Sequence, residues 1–516
     1  MNTPEDGWHR LDPRMLALNL SVLAAPLAGF AATAIGTGGD IPSAAFWTIG
    51  SVGAVFLVMV AAGLIRYTTT RYRITDERVE LRSGLLFRRY RSIPRDRIRS
   101  VDVTANPLHR IFGLTVVKVG TGQTGSATEN TELALDAVTA AHGDQLRTQL
   151  LTKPDNTVTR DEPAEARRPT TADGERTDVT LAALNWSWLR FAPLTGWTLV
   201  VALILLAGAQ RVLEAVGRNP FETGLVTDIV RWLHQFSLLL VIVAGAAVLL
   251  VVGVVGALVI YVEAWWNFRL VREPGGVFRV RRGLLTTRSV SLEERRLRGV
   301  EVIEPIAMRW AGGADTKAVA TGFATSHKEQ QRQKDRLLPP APLTVSHRVT
   351  AAVLAEDETP VAVTELHAHP RRALRRRIVR AVVPPVALAA LLLGLGQWLP
   401  WWLAPIALAL LAVTIPLAFD AYRNLGHALT QRYLVTRYGT IFRRTVALRR
   451  TGVIGWTISR SYFQRRAGLM TVAATTGAGG GAYKVRDVAE TAGLTFAEEA
   501  VPELLTPFVV RDTPHG

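Results

Sequence analysis

Two kinds of hydrophobic patterning alternate along this chain. Six runs, residues 16–36, 46–65, 191–209, 236–262, 381–395 and 401–419, are apolar on nearly every side. Most approach the ~20 residues that cross a bilayer core. The run L-L-L-V-I-V-A-G-A-A-V-L-L-V-V-G within 236–262 has no polar face to turn to water, so it reads as a span rather than a core helix. After each pair of runs the apolar period drops to two. Val79 and Leu81, then Val101 and Val103, then Leu114, Val116 and Val119 fall in short β-branched runs that predict half-buried strands. Residues 137–151 predict a closing helix with Val138, Ala141, Leu146 and Leu150 on one face. Several antiparallel strands followed by one helix make a small barrel or roll of the α+β class.

This pattern occurs three times. R-I-T-D-E-R-V-E-L-R-S-G-L-L-F-R-R-Y-R-S-I-P from Arg73 is matched by V-F-R-V-R-R-G-L-L-T-T-R-S-V-S-L-E around Gly283 and by A-L-T-Q-R-Y-L-V-T-R-Y-G-T-I-F-R-R-T-V-A-L-R around Gly439. Gly84 to Gly113, Gly283 to Gly312 and Gly439 to Gly468 each span 29 residues, and Arg110, Arg309 and Arg465 stand three before the second glycine. An internal repeat of this kind fixes the domain count. The first glycine of each pair follows a strand and precedes an apolar stretch, as a hairpin turn needing positive φ does.

The motifs Y-R-I-T-D-E-R-V-E-L-R-S-G at 72–84, S-I-P at 92–94, I-R-S-V-D-V at 98–103 and N-P-L-H-R-I-F-G-L at 106–114 resemble the membrane-flanked bacterial PH-like domain family. The resemblance is fair in the third copy and weaker in the second, where R-E-P-G-G replaces I-T-D-E. It implies a barrel of two packed sheets capped by a helix, and no reaction. The expectation is therefore an α+β membrane protein with three PH-like β-barrel or roll domains, each preceded by a transmembrane helical hairpin, six transmembrane helices in all. The expected divisions are an N-terminal segment and hairpin at 1–65, a first domain at 66–152 and a linker at 153–178. A second hairpin follows at 179–265, then a second domain at 266–365 with a polar insertion at 326–342. A basic segment and third hairpin take 366–420, the third domain 421–510 and a tail 511–516.

Charge adds an orientation. The net charge is +17 with 48% hydrophobic residues, and nearly all the positive charge is arginine. The turns at 37–43 and 397–402 hold no Lys or Arg, and the turn at 210–235 nearly balances its charges. Arg10, Arg14, Arg66, Arg71, Arg73, Arg190, Arg269, Arg272 and the run at 371–380 crowd the opposite side. The positive-inside rule then predicts a multi-pass protein of the bacterial plasma membrane, with the soluble domains and both termini cytoplasmic. The N-terminus lacks the pattern of a cleaved signal.

The chain has no cysteine, which excludes disulfides, thiolate metal sites and cysteine nucleophiles. G-T-G-Q-T-G at 120–125 matches a dinucleotide fingerprint but leads into another strand, not a helix, and reads as a hairpin. His367 and His369 lack a third ligand at metal-site spacing. Asp76, Glu77 and Glu80 read as surface charge, Asn19 is a polar residue inside the first run, and Glu263 sits at a membrane edge. No catalytic residue, metal or cofactor is expected, and no nucleic-acid partner. Candidate lipid or partner contacts are the repeated Arg110, Arg309 and Arg465, for which a structural ion pair is the competing reading, and Arg371, Arg372, Arg375 and Arg376 at the inner surface, which competes with a purely orienting role. The leading expectation is a non-enzymatic integral membrane protein presenting three cytoplasmic modules for assembly, with itself or with another envelope protein. The alternatives are recognition of anionic lipid in the bilayer, and transport, which the absence of a mid-span acidic residue disfavours.

Overall fold

The structure is a computed structural model and describes residues 7–21, 24–36, 38, 43–85, 88–98, 100–120, 132–151, 178–215, 235–322, 334–363, 365–395, 400 and 403–505. The linker at 153–178 except its last residue, most of the turn at 210–235, residues 326–333 of the insertion at 326–342, positions 121–125 of the glycine motif and the tail lie outside these residues. The chain forms two compact units: residues 1–180, 267–294 and 322–334 in the first, and 181–266, 295–321 and 335–516 in the second.

In the first unit, β1 (His9–Arg10), β2 (Arg71–Ile74), β3 (Arg78–Ser83) and β4 (Arg89–Pro94) form one sheet in that order. A second sheet is built on β5 (Ser100–Ala105), β6 (Leu114–Gly120) and β7 (Glu132–Thr139). The chain passes to the second unit along β8 (Val179–Ala183) and returns with β9 (Arg269–Glu273), β10 (Val277–Arg282) and β11 (Thr287–Glu293), giving the order β7-β6-β5-β11-β10-β9-β8. Tyr72, Val79 and Leu81 from the first sheet meet Val101, Val103, Leu114, Val117, Leu133 and Leu135 from the second, under Leu146 and Leu150 of the helix Ala140–Leu151. Two expected core positions shift. A register irregularity between Thr115 and Val117 turns Val117 rather than Val116 inward. On the closing helix Ala141 is exposed, and Gly143 sits close instead, with Thr115 Oγ1 only 2.7 Å from where a Cβ would lie.

In the second unit, β12 (Leu297–Pro305), β13 (Gly313–Ala320), β14 (Ala341–Pro342), β15 (Gly426–Leu429), β16 (Tyr433–Tyr438) and β17 (Phe442–Arg449) form one sheet, ordered β14-β13-β12-β17-β16-β15. A fourth sheet is formed by β18 (Gly455–Ser459), β19 (Leu469–Thr475) and β20 (Ala482–Ala489), paired in that order. Leu434, Val446 and Leu448 pack against Met470, Val472 and Val485, and Phe496 of the helix Glu490–Ala500 closes this core. The strands of the second repeat therefore divide: β9–β11 complete a sheet of the first unit, and β12 and β13 a sheet of the second.

Among the described residues four helices are long and apolar enough to cross a membrane, at 43–69, 238–265, 371–394 and 403–423, or five if a pair bent by 64° counts as one span. Two of the six expected spans, 16–36 and 191–209, are not among those four. The described parts of 16–36 lie in helices Arg14–Ser21 and Ala24–Gly36, and Leu11, Met15 and Leu18 belong to the core of the first unit. Phe191 is fully buried against Gly313 in the second unit, so the apolar helix begins at Trp197, across the bend. Gly253 and Gly256 of helix Leu238–Trp265 let it approach Trp197–Ala215 closely, a Cβ at Gly253 falling 2.4 Å from the Thr198 carbonyl oxygen. Small residues serve membrane helix pairs in this way.

Candidate functional site

The three hairpin glycines adopt one backbone conformation, with φ of +104° at Gly84, +110° at Gly283 and +111° at Gly439. Each turn presents its following strand for pairing, and twice that strand pairs with a different repeat. β11 of the second repeat lies antiparallel to β5 of the first, with Thr287 opposite Ala105 and Val290 opposite Asp102. β17 of the third repeat lies antiparallel to β12 of the second, from Gly299 opposite Leu448 to Pro305 opposite Phe442. These two seams join one repeat to the next. The burial of β12 reflects it: Leu297, Val300 and Val302 are fully buried. At Gly299 a Cβ would fall 2.1 Å from the Ala447 carbonyl oxygen, so the strands meet there only because the residue is glycine.

Charged side chains lock each seam. In the first unit Arg147 of the closing helix is buried and donates to both carboxylate oxygens of Glu273 at 3.0 and 2.9 Å, and to Ser291 at 3.1 Å. Lys334 pairs with the buried Asp102 at 2.7 Å. In the second unit Arg443 pairs with Glu304, and Arg444 with Glu301 at 3.2 Å, directly across the β12–β17 seam. Bidentate, partly buried arginine–carboxylate pairs fix register as well as adding energy.

The repeated arginines occupy one position, on the short helices Pro107–Ile111, Ile306–Trp310 and Tyr462–Arg466. Their partners differ. Arg110 donates to the Leu284 carbonyl at 2.6 Å, in the hairpin turn of the next repeat. Arg309 pairs with Asp420 at 2.7 Å, near the end of an apolar helix. Arg465 is exposed. The structural ion pair weighed from sequence is thus present at Arg309.

The basic run also divides. Arg376 and Arg377 both pair with Asp487, which is buried at 3% exposure, whereas Arg371, Arg372 and Arg375 are exposed. Beside this pair His369 Nδ1 lies 3.1 Å from the Asp487 carbonyl and its Nε2 lies 3.0 Å from His427 Nδ1. Burial, and then the neighbouring His369 and His367, push His427 down to about 4. His369 is also held low by burial. No group of three or more metal-ligating side chains occurs among the described residues. A cavity of about 450 Å³ in the first unit is lined by Asn19, Arg66, Asp102, His109, Arg288 and Lys334 among others. Four of its charges pair with one another, Arg66 with Asp136 and Lys334 with Asp102, and burial holds His109 low. Sequence reasoning passed over Arg147, Asp487 and Gly299; only Gly299, a glycine inside a strand, carried a local signal.

Strand sheets closed by a helix, together with several helices apolar enough to cross a membrane, define a membrane protein with PH-like modules. Residues 22–153 and 378–496 match the family model described as Bacterial PH domain, and the chain is similar to the YdbT-type transmembrane proteins. It is 23% identical to the transmembrane protein YdbT of Bacillus subtilis (strain 168) over 431 residues, 82% of each chain. It is also 28% identical to the transmembrane protein YdbS of the same organism over 80 residues, 16% of this chain and 48% of that one. No solved structure matches this chain.

Proposed function

We propose that this protein is a non-enzymatic assembly element of the cell envelope, a six-span protein whose PH-like modules face the cytoplasm and bind protein partners edge to edge. The observation that carries this reading is the pair of inter-repeat seams: twice, a PH-like half sheet recruits a strand from another repeat by a backbone ladder with matched charges. Strand addition of this kind gives affinity through the main chain and specificity through side chains. The orientation rests on the arginine asymmetry at the membrane edges. Extraction from native membranes into lipid-retaining polymer discs, followed by mass measurement, tests the reading. Assemblies larger than one 56.3 kDa chain are expected; a single chain under all extraction conditions refutes it.

A second reading, contact with anionic lipid, is favoured by one further observation. Leu85, Ile111, Leu285, Trp310, Ile441 and Phe463, on hairpin turns and short helices, are all exposed, Trp310 at 78%. Apolar tips beside arginines suit an interfacial layer. Binding to anionic vesicles that weakens steeply with salt is the expected result, and salt-independent binding speaks against it.

A further inference from the structure

β4 and β18 are among the strands that end their sheets. Among the described residues no strand lies along the outer edge of β4 or of β18. Their positions in the repeat are complementary. Each inner seam joins the strand after the glycine hairpin of one repeat, β11 or β17, to the first strand of the second half sheet in the preceding repeat, β5 or β12. β4 is the former strand in the first repeat, and β18 is the latter strand in the third. The first and third repeats thus carry the two halves of a seam that is closed twice between repeats.

The details agree with that placement. Aligned on their glycines, the two inner seams share one register, since Ala105 opposite Thr287 and Glu304 opposite Arg443 are equivalent pairs. The strand residues covered in the inner seams are open at the ends: Ile458 is 40% exposed and Tyr90 54%. The position of Gly299, where the next repeat leaves no room for a Cβ, is again glycine in β18, and at Gly455 nothing lies within 4 Å of a Cβ. Arg110 donates to the turn carbonyl of the following repeat, whereas its counterpart Arg465 is exposed. Arginines on an edge strand can deter pairing, but β17 carries Arg443 and Arg444 where β4 is entered by Arg88 and Arg89, and β17 is paired.

We propose that β18 of one copy pairs antiparallel with β4 of a second copy, continuing the chain of repeats head to tail. Transferring the inner register places Ser459 opposite Arg89, Ile458 opposite Tyr90 and Gly455 opposite Ile93, with Arg465 at the carbonyl of Leu85 of the second copy. Such a contact is heterologous, so it propagates until a ring closes or a filament forms. It is the weakest of the three seams, because Thr457 and Arg460 stand where β12 has Glu301 and Glu304, and Arg460 is held by Glu490 at 2.6 Å. The proposal rests on the assembly function above and names its partner.

The absence of native cysteine makes the test direct. Ser459→Cys and Arg89→Cys are placed in separately tagged full-length chains, co-expressed and mildly oxidised in native membranes. Residues directly opposite in an antiparallel ladder have Cα atoms about 4.5–5.5 Å apart, within disulfide reach. The expected result is a disulfide dimer containing both tags, with neither variant linking to itself. Adding Gly455→Val to the Ser459→Cys chain should cut the linked fraction at least tenfold. Ile458→Cys with Tyr90→Cys reads the same pairing should either first variant misfold. Native-size assemblies without the mixed disulfide from either pair would overturn the proposal while leaving the assembly function standing. So would a chain carrying both cysteines that closes only on itself, or equal linking by Thr457→Cys with Arg89→Cys.

Discussion

Gly299→Ala probes the β12–β17 seam with one methyl group. The added Cβ would lie 2.1 Å from the Ala447 carbonyl oxygen and 3.0 Å from Leu448 Cα, both backbone atoms on the opposing strand. Relieving that overlap requires the strands to part by about an ångström, which breaks the nearest ladder hydrogen bonds at ~1 kcal/mol each and loosens the packing of Val446 and Leu448, which are fully buried. Overpacking adds about 1–3 kcal/mol, so the total loss is about 3–4 kcal/mol. Gly455 is the internal control, because the same change on β18 meets open space. Thermal unfolding in detergent, followed through tryptophan fluorescence, should show Gly299→Ala about 10 °C below the unmodified protein, at ~2–4 °C per kcal/mol for a unit of this size. Gly455→Ala should melt with the unmodified protein in the monomeric state. Equal melting of the two variants would refute the reasoning.

Removing the acid from the Asp487 cluster leaves Arg376 and Arg377 without their carboxylate, so Asp487→Asn should cost about 3–5 kcal/mol, read as loss of folded protein in the same assay. Replacing the exposed Arg371, Arg372 and Arg375 with Gln should leave that stability unchanged and lower the anionic lipid retained in native mass spectrometry; unchanged retention would assign them to orientation alone. Phe191→Ala should cost about 3–5 kcal/mol, since the ring is fully buried against Gly313, and wild-type melting would return Phe191 to the membrane. His427 is depressed from 6.5 to about 4 in the fold, so the unfolded chain binds the extra proton in that window. Its contribution is complete above pH 6.5 and is lost as pH falls towards 4, up to about 3 kcal/mol. His427→Phe should flatten the drop in melting temperature over that range, and an unchanged slope would place the titration elsewhere.

Much of the repeat was legible in sequence because its constraints are local. A glycine that needs positive φ and an arginine one helical turn before the next glycine keep their spacing whatever surrounds them. The seams were not legible for a physical reason: alternation reports which face of a strand is buried, not which neighbour pairs with its edge. β4, β11 and β17 carry similar patterns, yet two are central and one is terminal. The basic run failed to declare its division because Asp487, which claims Arg376 and Arg377, lies more than a hundred residues away in sequence. The stretch leading into the first apolar run held a usable sign: Leu11, Met15 and Leu18 recur at helical spacing and face the core together. Hydropathy averaged over the run concealed it.

The central claim is that the repeats are joined by shared sheets, with the second repeat's strands divided between them. An electron cryomicroscopy map of the full-length protein in a lipid disc tests it most directly. The account predicts continuous strand density from β5 into β11 and from β12 into β17, with Gly299 at a point of close backbone contact. Three self-contained barrels, with β11 and β12 in one of them and no ladder between repeats, would contradict it.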